Sequence, residues 1–503
     1  MIRSSLMFIV VLWFYYSGYS QNKKTYQPTI LPCNCNFKID SNYLVSAPHL
    51  LRADSTFPYK IDSSFETFCA YLVVPENRKK AKSKSIKLPF IIVKSKNPNK
   101  KNDPILFTGG GPGASSLSWA NGIAKSTLIL DRDCIAFEQR GTKYAIPYLR
   151  RVDLDIAIRE AYRKNLSKDS MAIIGVKNYK RSLEKAGIDI AGYNTDETVT
   201  DILDLLKILK IDSVNLFGIS YSGGLMLSVL RNAETKVRSL VLNSPLPNFT
   251  PIDEDEPANF MEALHILLRR IENDTSNKNL YGNLSEKFHQ YFTSITNKKF
   301  YFPYVEKGTN DTLNVEYTKN ELLEVVVNNV FSPTAMKDMP VIINNIINGN
   351  HSEYMKSKFD GIFNRYTSPI GMRIAVYCAD QSAYHNPEVE KALYKLYPYL
   401  EGYHINDVYN GLCECWNVPP VSPKTKEPLY SNKPALIVDG ELDAACRPIY
   451  MYMIQHYMPN AQSFLFKNLS HGVGGKDFAE MTQKFIDNPY KKVEINNKDI
   501  IAD

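Results

Sequence analysis

The feature that most constrains the fold is a turn of small residues placed between a strand and a helix. The turn, Gly218-Ile219-Ser220-Tyr221-Ser222-Gly223-Gly224, follows the strand-like run Val214-Phe217 and precedes the helical-looking run Leu225-Val229. A tight strand–turn–helix of this kind holds a serine in a strained conformation, with its hydroxyl projecting from the edge of a parallel sheet. The alternative is an ordinary Gly/Ser-rich loop. We predict a nucleophile elbow with Ser220 as the nucleophile.

Strand-like and helical segments alternate on both sides of this turn. Short runs typical of buried strands recur along the chain at Ile105-Thr108, Cys134-Phe137, Val214-Phe217, Leu240-Asn243, Ala435-Val438 and Ser463-Phe466. From Thr195 to Lys210 the apolar residues recur at helical spacing, which predicts a helix that Thr195 can cap. Such alternation is typical of an α/β fold, with a mostly parallel sheet and flanking crossover helices.

This alternation stops between about residues 247 and 430, where mostly helical segments rich in Asn, Tyr and Lys follow one another. The strands then resume, so one interrupted domain explains the pattern better than two domains in series. We predict an α/β core formed by residues 21–246 and 431–503, with a mainly helical cap insertion over 247–430. Both ends of the insertion join the core on the elbow's side of the sheet, so we expect it to form a lid over Ser220.

A glycine run, Gly109-Gly110-Gly111-Pro112-Gly113, directly follows the strand-like run Ile105-Thr108. Glycines at this place let backbone N–H groups approach a ligand closely. A phosphate loop is disfavoured because the Gly-Lys-Ser/Thr ending is absent, and a plain glycine turn would not account for the elbow downstream. We predict an oxyanion hole formed by the amide of Tyr221, the residue after the nucleophile, and by that of Gly110 or Gly111.

Two further candidates lie just after strand-like runs near the C-terminus. Asp443 follows Ala435-Val438, and His471 follows Ser463-Phe466. Loops at the carboxyl ends of strands are where α/β sheets build their sites, and the chain order Ser, Asp, His is the one this elbow type uses. We predict that His471 is the general base and that Asp443 orients it. Asp439 and Glu441 are the alternative acids.

The first twenty residues have the order of a secretory signal peptide. Arg3 gives a positive start, Leu6 to Tyr16 is apolar, and Gly18 and Ser20 are small residues before a predicted cut at Ser20/Gln21. The apolar run is shorter than the roughly 20 residues that span a bilayer. We expect export to the periplasm or the extracellular medium without stable membrane insertion, an uncleaved anchor or a buried segment being the alternative.

Composition excludes several other classes of function. The net charge of +7 is spread over 503 residues, which argues against a nucleic-acid surface. The eight cysteines form no metal-ligand pattern with histidines, so we expect no metal and no organic cofactor. Export makes disulfides permissible, although their pairing cannot be read from the sequence, and Cys134 lies in an apolar run typical of a buried thiol.

Taken together, these motifs resemble the prolyl iminopeptidase and tripeptidyl aminopeptidase family of α/β-hydrolases, which are serine peptidases. The similar segments run from about residue 65 to the C-terminus and include Cys69-Ala70-Tyr71-Leu72-Val73-Val74-Pro75, Gly110-Gly111-Pro112-Gly113, Gln139-Arg140-Gly141-Thr142, residues 193–224, Gly440 with Asp443, and His471-Gly472. The segments around Cys378 and Cys413 look like the family's cap cysteines. The chain departs at Gly109, Glu138 and Ser222, where members often have His, Asp and Gly.

The resemblance implies an α/β-hydrolase that releases residues or short peptides from the amino terminus of oligopeptides through an acyl-enzyme. A carboxylesterase or lipase acting on a small acyl substrate is the alternative within hydrolases, and a non-catalytic binding module is the alternative outside them. To select a free amino terminus, the insertion must offer the ammonium group a carboxylate. Candidate acids for that role include Glu321, Glu324 and Asp380.

Overall fold

The computed structural model describes residues 26–39, 61–150, 152–275, 278–307, 309–332, 336–364 and 370–502. The predicted signal peptide and its cleavage site lie outside these residues. Within them, no helix combines the length and the apolar character that a membrane span requires.

A ten-stranded sheet forms the centre of the core. Its strands are β1 (Thr29–Cys33), β2 (Thr67–Pro75), β3 (Ser85–Val93), β4 (Ile105–Thr108), β5 (Cys134–Phe137), β6 (Val214–Ile219), β7 (Val237–Asn243), β10 (Ala435–Gly440), β11 (Ala461–Phe466) and β12 (Ile500–Ala502). Their spatial order is β1-β2-β3-β5-β4-β6-β7-β10-β11-β12. The six central strands from β5 to β11 are parallel, and the outer ones are antiparallel. This arrangement confirms the predicted α/β-hydrolase architecture.

The structure describes sixteen helices, counted within the residues given above. They are α1 (Ala120–Ala124), α2 (Asp153–Arg163), α3 (Lys168–Lys185), α4 (Thr195–Ile208), α5 (Tyr221–Ala233), α6 (Ile252–Asn273), α7 (Lys278–Tyr281), α8 (Leu284–Ser294), α9 (Lys319–Val330), α10 (Met339–Ile347), α11 (Ser352–Asn364), α12 (Ile370–Asp380), α13 (Pro387–Leu396), α14 (Asn410–Trp416), α15 (Pro448–Tyr457) and α16 (Lys476–Asp487).

Helices cover both faces of the sheet. Buried side chains of α4, α5 and α15, such as Leu205, Leu225 and Met451, share one apolar cluster with the strands. Side chains of α1 and α16, such as Ile123 and Phe485, belong to a second cluster on the strands. Burial on both faces explains why the central strands are almost uniformly apolar.

The start of α4 corrects one sequence prediction. Thr195 does not cap this helix; the preceding Asn194 does, because its backbone is extended and its side chain accepts a hydrogen bond of 3.0 Å from the amide of Glu197. Thr195 is instead the first helical residue and is fully buried. Its hydroxyl is thereby free to bond within the candidate site described below.

The segment between β7 and β10 separates two strands that are neighbours in the sheet. It contains α6 to α14 and has an apolar cluster of its own, which includes Phe260, Phe292 and Phe359. It also contains a two-stranded hairpin formed by β8 (Phe300–Val305) and β9 (Thr312–Tyr317), which the expectation of mainly helical segments did not specify.

Two disulfides each join cysteines that are a similar number of residues apart along the chain. Cys35 pairs with Cys69 in β2, and Cys378 in α12 pairs with Cys413 in α14. Cys134 is a buried free thiol, as its apolar context predicted. The second disulfide fixes α12 against α14, and α12 carries several groups of the candidate site.

Candidate active site

Ser220 lies at a sharp turn between β6 and α5. Its backbone has φ of 58° and ψ of −129°, in the left-handed half of conformational space that a non-glycine residue rarely adopts. The turn is held from both sides, since the Ser220 amide donates to the Asn243 carbonyl (3.0 Å) and the Ser220 carbonyl accepts from the Leu246 amide (3.0 Å). Gly218 has no room for a side chain, because a Cβ there would lie 2.4 Å from the Ser222 carbonyl oxygen.

Ser222, one of the three departures from the family that the sequence resembles, is fully buried under the elbow. Its hydroxyl forms a short hydrogen bond with the hydroxyl of Thr108, at the end of β4. A buried hydroxyl without a partner would be costly, so Thr108 makes this departure tolerable. Ser222 therefore faces the sheet, and Ser220 is the elbow serine that borders the cavity described below.

Asp443 and His471 are brought together by the loops that follow β10 and β11. The Nδ1 atom of His471 lies 2.7 Å from Oδ2 of Asp443, which is fully buried. The other oxygen of Asp443 accepts from the amides of Ala445 (2.9 Å) and Cys446 (2.8 Å). With both oxygens bonded, Asp443 is fixed in place and can orient the imidazole.

Electrostatics at His471 favour its charged form. Burial by itself lowers the pKa of the imidazole, but the carboxylate of Asp443 outweighs burial and raises the pKa above its usual value. The side chain is 24% exposed, so it is accessible from the site. Among the described residues, no hydrogen bond joins Ser220 to His471; the recorded polar neighbour of the serine hydroxyl is the thiol of Cys446, at 3.9 Å. Such contacts often tighten only when substrate binds.

The two alternative acids have other partners. Glu441 forms an ion pair of 2.6 Å with Arg270. Asp439 is fully buried and accepts hydrogen bonds from the amide of Gly440 and the hydroxyl of Ser244. Burial and the nearby charge of Asp443 raise the pKa of Asp439 well above its usual value. Of the three candidates, Asp443 is the one bonded to His471.

Asn243, at the end of β7, connects the elbow with the loop that carries His471. Besides its bond to the Ser220 amide, Asn243 uses its side chain to donate to the Val473 carbonyl (2.7 Å) and to accept from the Val473 amide (2.9 Å). One residue thus fixes both the elbow and the loop that carries His471. Sequence reasoning assigned no role to Asn243, because nothing local distinguishes it from any other strand-end amide.

The glycine loop passes directly beside the elbow. A Cβ on Gly110 would lie 2.8 Å from the Cβ of Ser220, so only glycine allows this approach. Within the described part of the chain, no acceptor is recorded for the amides of Gly110, Gly111 and Tyr221. These are the donors predicted for an oxyanion hole, and all three residues are grouped around Ser220.

Ser220 lines a cavity that contains about 680 Å³ of empty space, part of it open to solvent. Core residues line one side of it, and residues of the segment between β7 and β10 line the other. Its apolar walls include Leu246, Ile252, Val376 and Tyr377, and its charged residues are Glu256, Arg373, Asp380 and Lys426. The cavity therefore offers an apolar wall and charges of both signs to whatever reaches Ser220.

Of the three candidate amine-binding acids, Asp380 is the one that lines this cavity. Its Oδ2 accepts a short hydrogen bond from the hydroxyl of Thr195, and the side chain is buried. Burial raises the pKa of Asp380 to about 7. Glu321 and Glu324 line a different cavity, where Glu321 bonds Tyr162 and the start of α9 and Glu324 pairs with Lys358.

Comparison with known proteins identifies the fold family of the chain. A family model described as alpha/beta hydrolase fold matches residues 103–473. No curated protein matches the chain. Similar solved structures include a bromoperoxidase from Bacillus anthracis, with 13% identity, a TM-score of 0.35 and coverage of 83% of this chain and 100% of that one.

Two esterases are also among the similar structures. RhEst1 from Rhodococcus sp. ECU1013 has 12% identity, a TM-score of 0.34 and coverage of 84% of this chain and 99% of its own. An esterase from Thermogutta terrifontis has 12% identity, a TM-score of 0.33 and coverage of 79% and 91%. These likenesses are too distant to bear on the substrate. Because the family model spans well over half of the chain, from before the glycine loop to beyond His471, the protein belongs to the alpha/beta hydrolase fold family.

Proposed function

We propose that the protein is a serine hydrolase in which Ser220, His471 and Asp443 act as nucleophile, general base and orienting acid. The observation that carries this proposal is the 2.7 Å contact between His471 and the fully buried Asp443, at the same sheet edge as the strained Ser220. A serine hydroxyl is a weak nucleophile until a base accepts its proton, and the base needs a partner that fixes its tautomer.

The proposed reaction runs in two halves. His471 takes the proton of Ser220 as the serine oxygen attacks a carbonyl carbon, and the amides of Tyr221 and of Gly110 or Gly111 stabilise the resulting oxyanion. His471 then gives the proton to the leaving group, which departs and leaves an acyl-enzyme. Water, deprotonated by His471, attacks the acyl group; the second tetrahedral intermediate then breaks its bond to the Ser220 oxygen, which takes the proton back from His471 as the carboxylic acid product leaves. Loss of one oxyanion donor typically costs about 3–4 kcal/mol of barrier.

We further propose that the enzyme is an aminopeptidase, which releases residues or short peptides from the amino terminus of oligopeptides. The resemblance to prolyl iminopeptidases and tripeptidyl aminopeptidases favours this choice. Asp380 supports it, because its buried carboxyl group lines the Ser220 cavity. An ammonium group beside this carboxylate would lower its raised pKa.

The test compares a peptide substrate with its N-acetylated twin. Acetylation removes the ammonium charge, and we expect kcat/KM to fall at least about tenfold, the factor that corresponds to about 1.4 kcal/mol. Peptides that differ only in length would show which product is released. Equal rates on both twins, or cleavage inside blocked peptides, would contradict the aminopeptidase proposal while leaving the serine hydrolase proposal intact.

A carboxylesterase is the second candidate. The apolar wall of the cavity, formed by residues such as Leu246, Val376 and Tyr377, would suit the acyl chain of an ester. Short-acyl esters without an amino group distinguish the two candidates. An esterase would hydrolyse them with a higher kcat/KM than any free peptide, whereas an aminopeptidase would prefer substrates that carry the amine.

Export is a separate part of the proposal. It rests on the sequence alone, because residues 1–25 lie outside the described part of the chain. We propose that a signal peptide is removed between Ser20 and Gln21. The intact mass of exported protein would decide this, because a mass that retains Met1 would contradict cleavage.

A further inference from the structure

The backbone of the glycine loop is held at three successive carbonyl groups. The Gly109 carbonyl accepts from the side chain of Gln139 (2.7 Å), and the Gly110 carbonyl accepts from the amide of Ala114 (3.1 Å). The Gly111 carbonyl accepts from Nη1 of Arg373, also at 2.7 Å. The first two donors belong to the core. The third comes from α12, in the segment between β7 and β10.

Arg373 is itself fixed before it reaches the loop. Its Nε donates to Asp407 (2.5 Å), and its Nη2 donates to the side chain of Asn406 (2.7 Å). The carboxylate of Asp407 helps to raise the pKa of the guanidinium, which stays charged. Because a guanidinium is planar, fixing two of its nitrogens also fixes the direction of the third. Arg373 therefore presents Nη1 to Gly111 as an oriented donor.

Helix α12 is held rigidly where it carries this arginine. Gly371 packs so closely on the core that a Cβ there would lie 2.2 Å from the Leu149 carbonyl oxygen. Cys378, further along the helix, is bonded to Cys413 in α14. A side chain on a helix anchored at two points is placed more accurately than one on a free loop.

The far end of α12 is linked to the side chain of Tyr221 through Thr195. Asp380 accepts from the hydroxyl of Thr195, and that hydroxyl lies 2.7 Å from the phenol oxygen of Tyr221. Tyr221 is the residue after the nucleophile, and its amide is the second proposed donor. One helix is thus bonded directly to the glycine loop through Arg373, and indirectly, through Asp380 and Thr195, to the side chain of Tyr221.

We propose that Arg373 is a positioning residue, which holds the Gly110-Gly111 segment in the geometry that the oxyanion requires. It touches no reacting atom. An oxyanion donor must lie about 2.7–3.1 Å from the oxygen in the transition state, and a loop anchored at two carbonyls instead of three samples that geometry less often. The inference rests on the proposed serine hydrolase mechanism, but it does not depend on whether the substrate is a peptide or an ester.

The experiment compares two variants of Arg373. Arg373→Met has no hydrogen-bond donor in its side chain, whereas Arg373→Lys keeps an ammonium group that can donate to the Gly111 carbonyl. The matched control is Lys180→Ala, because Lys180 is another basic side chain that joins the core to this segment by donating to a backbone carbonyl, that of Trp416 (2.7 Å). All variants and Ser220→Ala are assayed on p-nitrophenyl acetate. Their inhibition by an aryl trifluoromethyl ketone, which forms a tetrahedral oxyanion adduct, and their melting temperatures are also measured.

We expect Arg373→Met to lower kcat/KM about tenfold and to raise the inhibition constant of the ketone by a similar factor, since both depend on the oxyanion. Arg373→Lys should recover part of each loss, and Lys180→Ala should match the wild type in both.

Wild-type values for Arg373→Met, or equal losses in Lys180→Ala, would overturn the positioning role. Lower activity with unchanged ketone inhibition would overturn it too, because that result indicates general destabilisation. Wild-type hydrolysis that survives Ser220→Ala would instead contradict the underlying mechanism.

Discussion

The core and the segment between β7 and β10 contribute to the candidate site in different ways. The core supplies the groups of the proposed chemistry, namely Ser220, Asp443, His471 and the glycine loop, each on a short turn directly after a strand. The intervening segment supplies Asp380 and Arg373 from a single helix, far along the chain from any of those turns. We infer that the proposed chemistry depends on strand order, whereas the proposed substrate selection and fine positioning depend on how one helix packs.

The largest effect is expected in the core, where Asp443 and Asp439 form a natural pair for comparison. We predict that Asp443→Asn lowers kcat by roughly 10³–10⁴-fold, because an amide favours the wrong tautomer of His471. Asp439→Asn should stay within a few-fold of the wild type, since it is Asp443 that is bonded to His471. Steady-state kinetics on one substrate measure both. The reverse ranking would show that Asp439 is the orienting acid.

A smaller and more selective effect is expected from Asp380. We predict that Asp380→Asn lowers kcat/KM at least about tenfold on a peptide with a free amino terminus, with little change on the N-acetylated twin. Glu324→Gln is the control, because Glu324 is an acid of the same segment that lies outside the Ser220 cavity. Equal losses on both twins would mean that Asp380 only supports the fold through Thr195.

The raised pKa values of Asp380 and His471 both predict that kcat/KM declines at low pH. Asp380 attracts an ammonium only when ionised, and its pKa is raised to about 7; His471 accepts a proton only when neutral, and its pKa is raised as well. We therefore predict that kcat/KM on the free peptide falls as the pH drops through about 7. In Asp380→Asn one of the two ionisations is gone, so its acid limb should be less steep. A profile of unchanged shape would argue against ionised Asp380 in binding.

The smallest effects on activity are expected from the two disulfides, which close loops of similar length, with separations of 34 and 35 residues. Each is expected to stabilise the fold by about 2–4 kcal/mol. We predict that paired Cys→Ser changes at Cys35 and Cys69 lower the melting temperature and leave kcat/KM unchanged. The same changes at Cys378 and Cys413 should also lower kcat/KM a few-fold, because α12 carries Arg373 and Asp380. Identical kinetics for the two variants would mean that packing alone fixes α12.

The same contrast explains what the sequence could predict. The elbow, the glycine loop and the turns of Asp443 and His471 each have a local signature, and strand order brings them together. The cap of α4 was misassigned because two adjacent residues, Asn194 and Thr195, can both cap, and backbone geometry decides between them. The β8–β9 hairpin was missed because Pro303 in β8 weakens the strand signal. Arg373 has no local signature, since its role depends entirely on tertiary contacts.

The most direct test of the central claim is to find which side chain a fluorophosphonate modifies, by peptide mass spectrometry of the labelled protein. We predict a single adduct on Ser220, with labelling abolished by Ser220→Ala and reduced to background by His471→Ala. Labelling should persist in Ser222→Ala, since Ser222 is buried against Thr108. An adduct that survives Ser220→Ala, or one that maps to Ser222, would contradict the assignment of the nucleophile and the mechanism that depends on it.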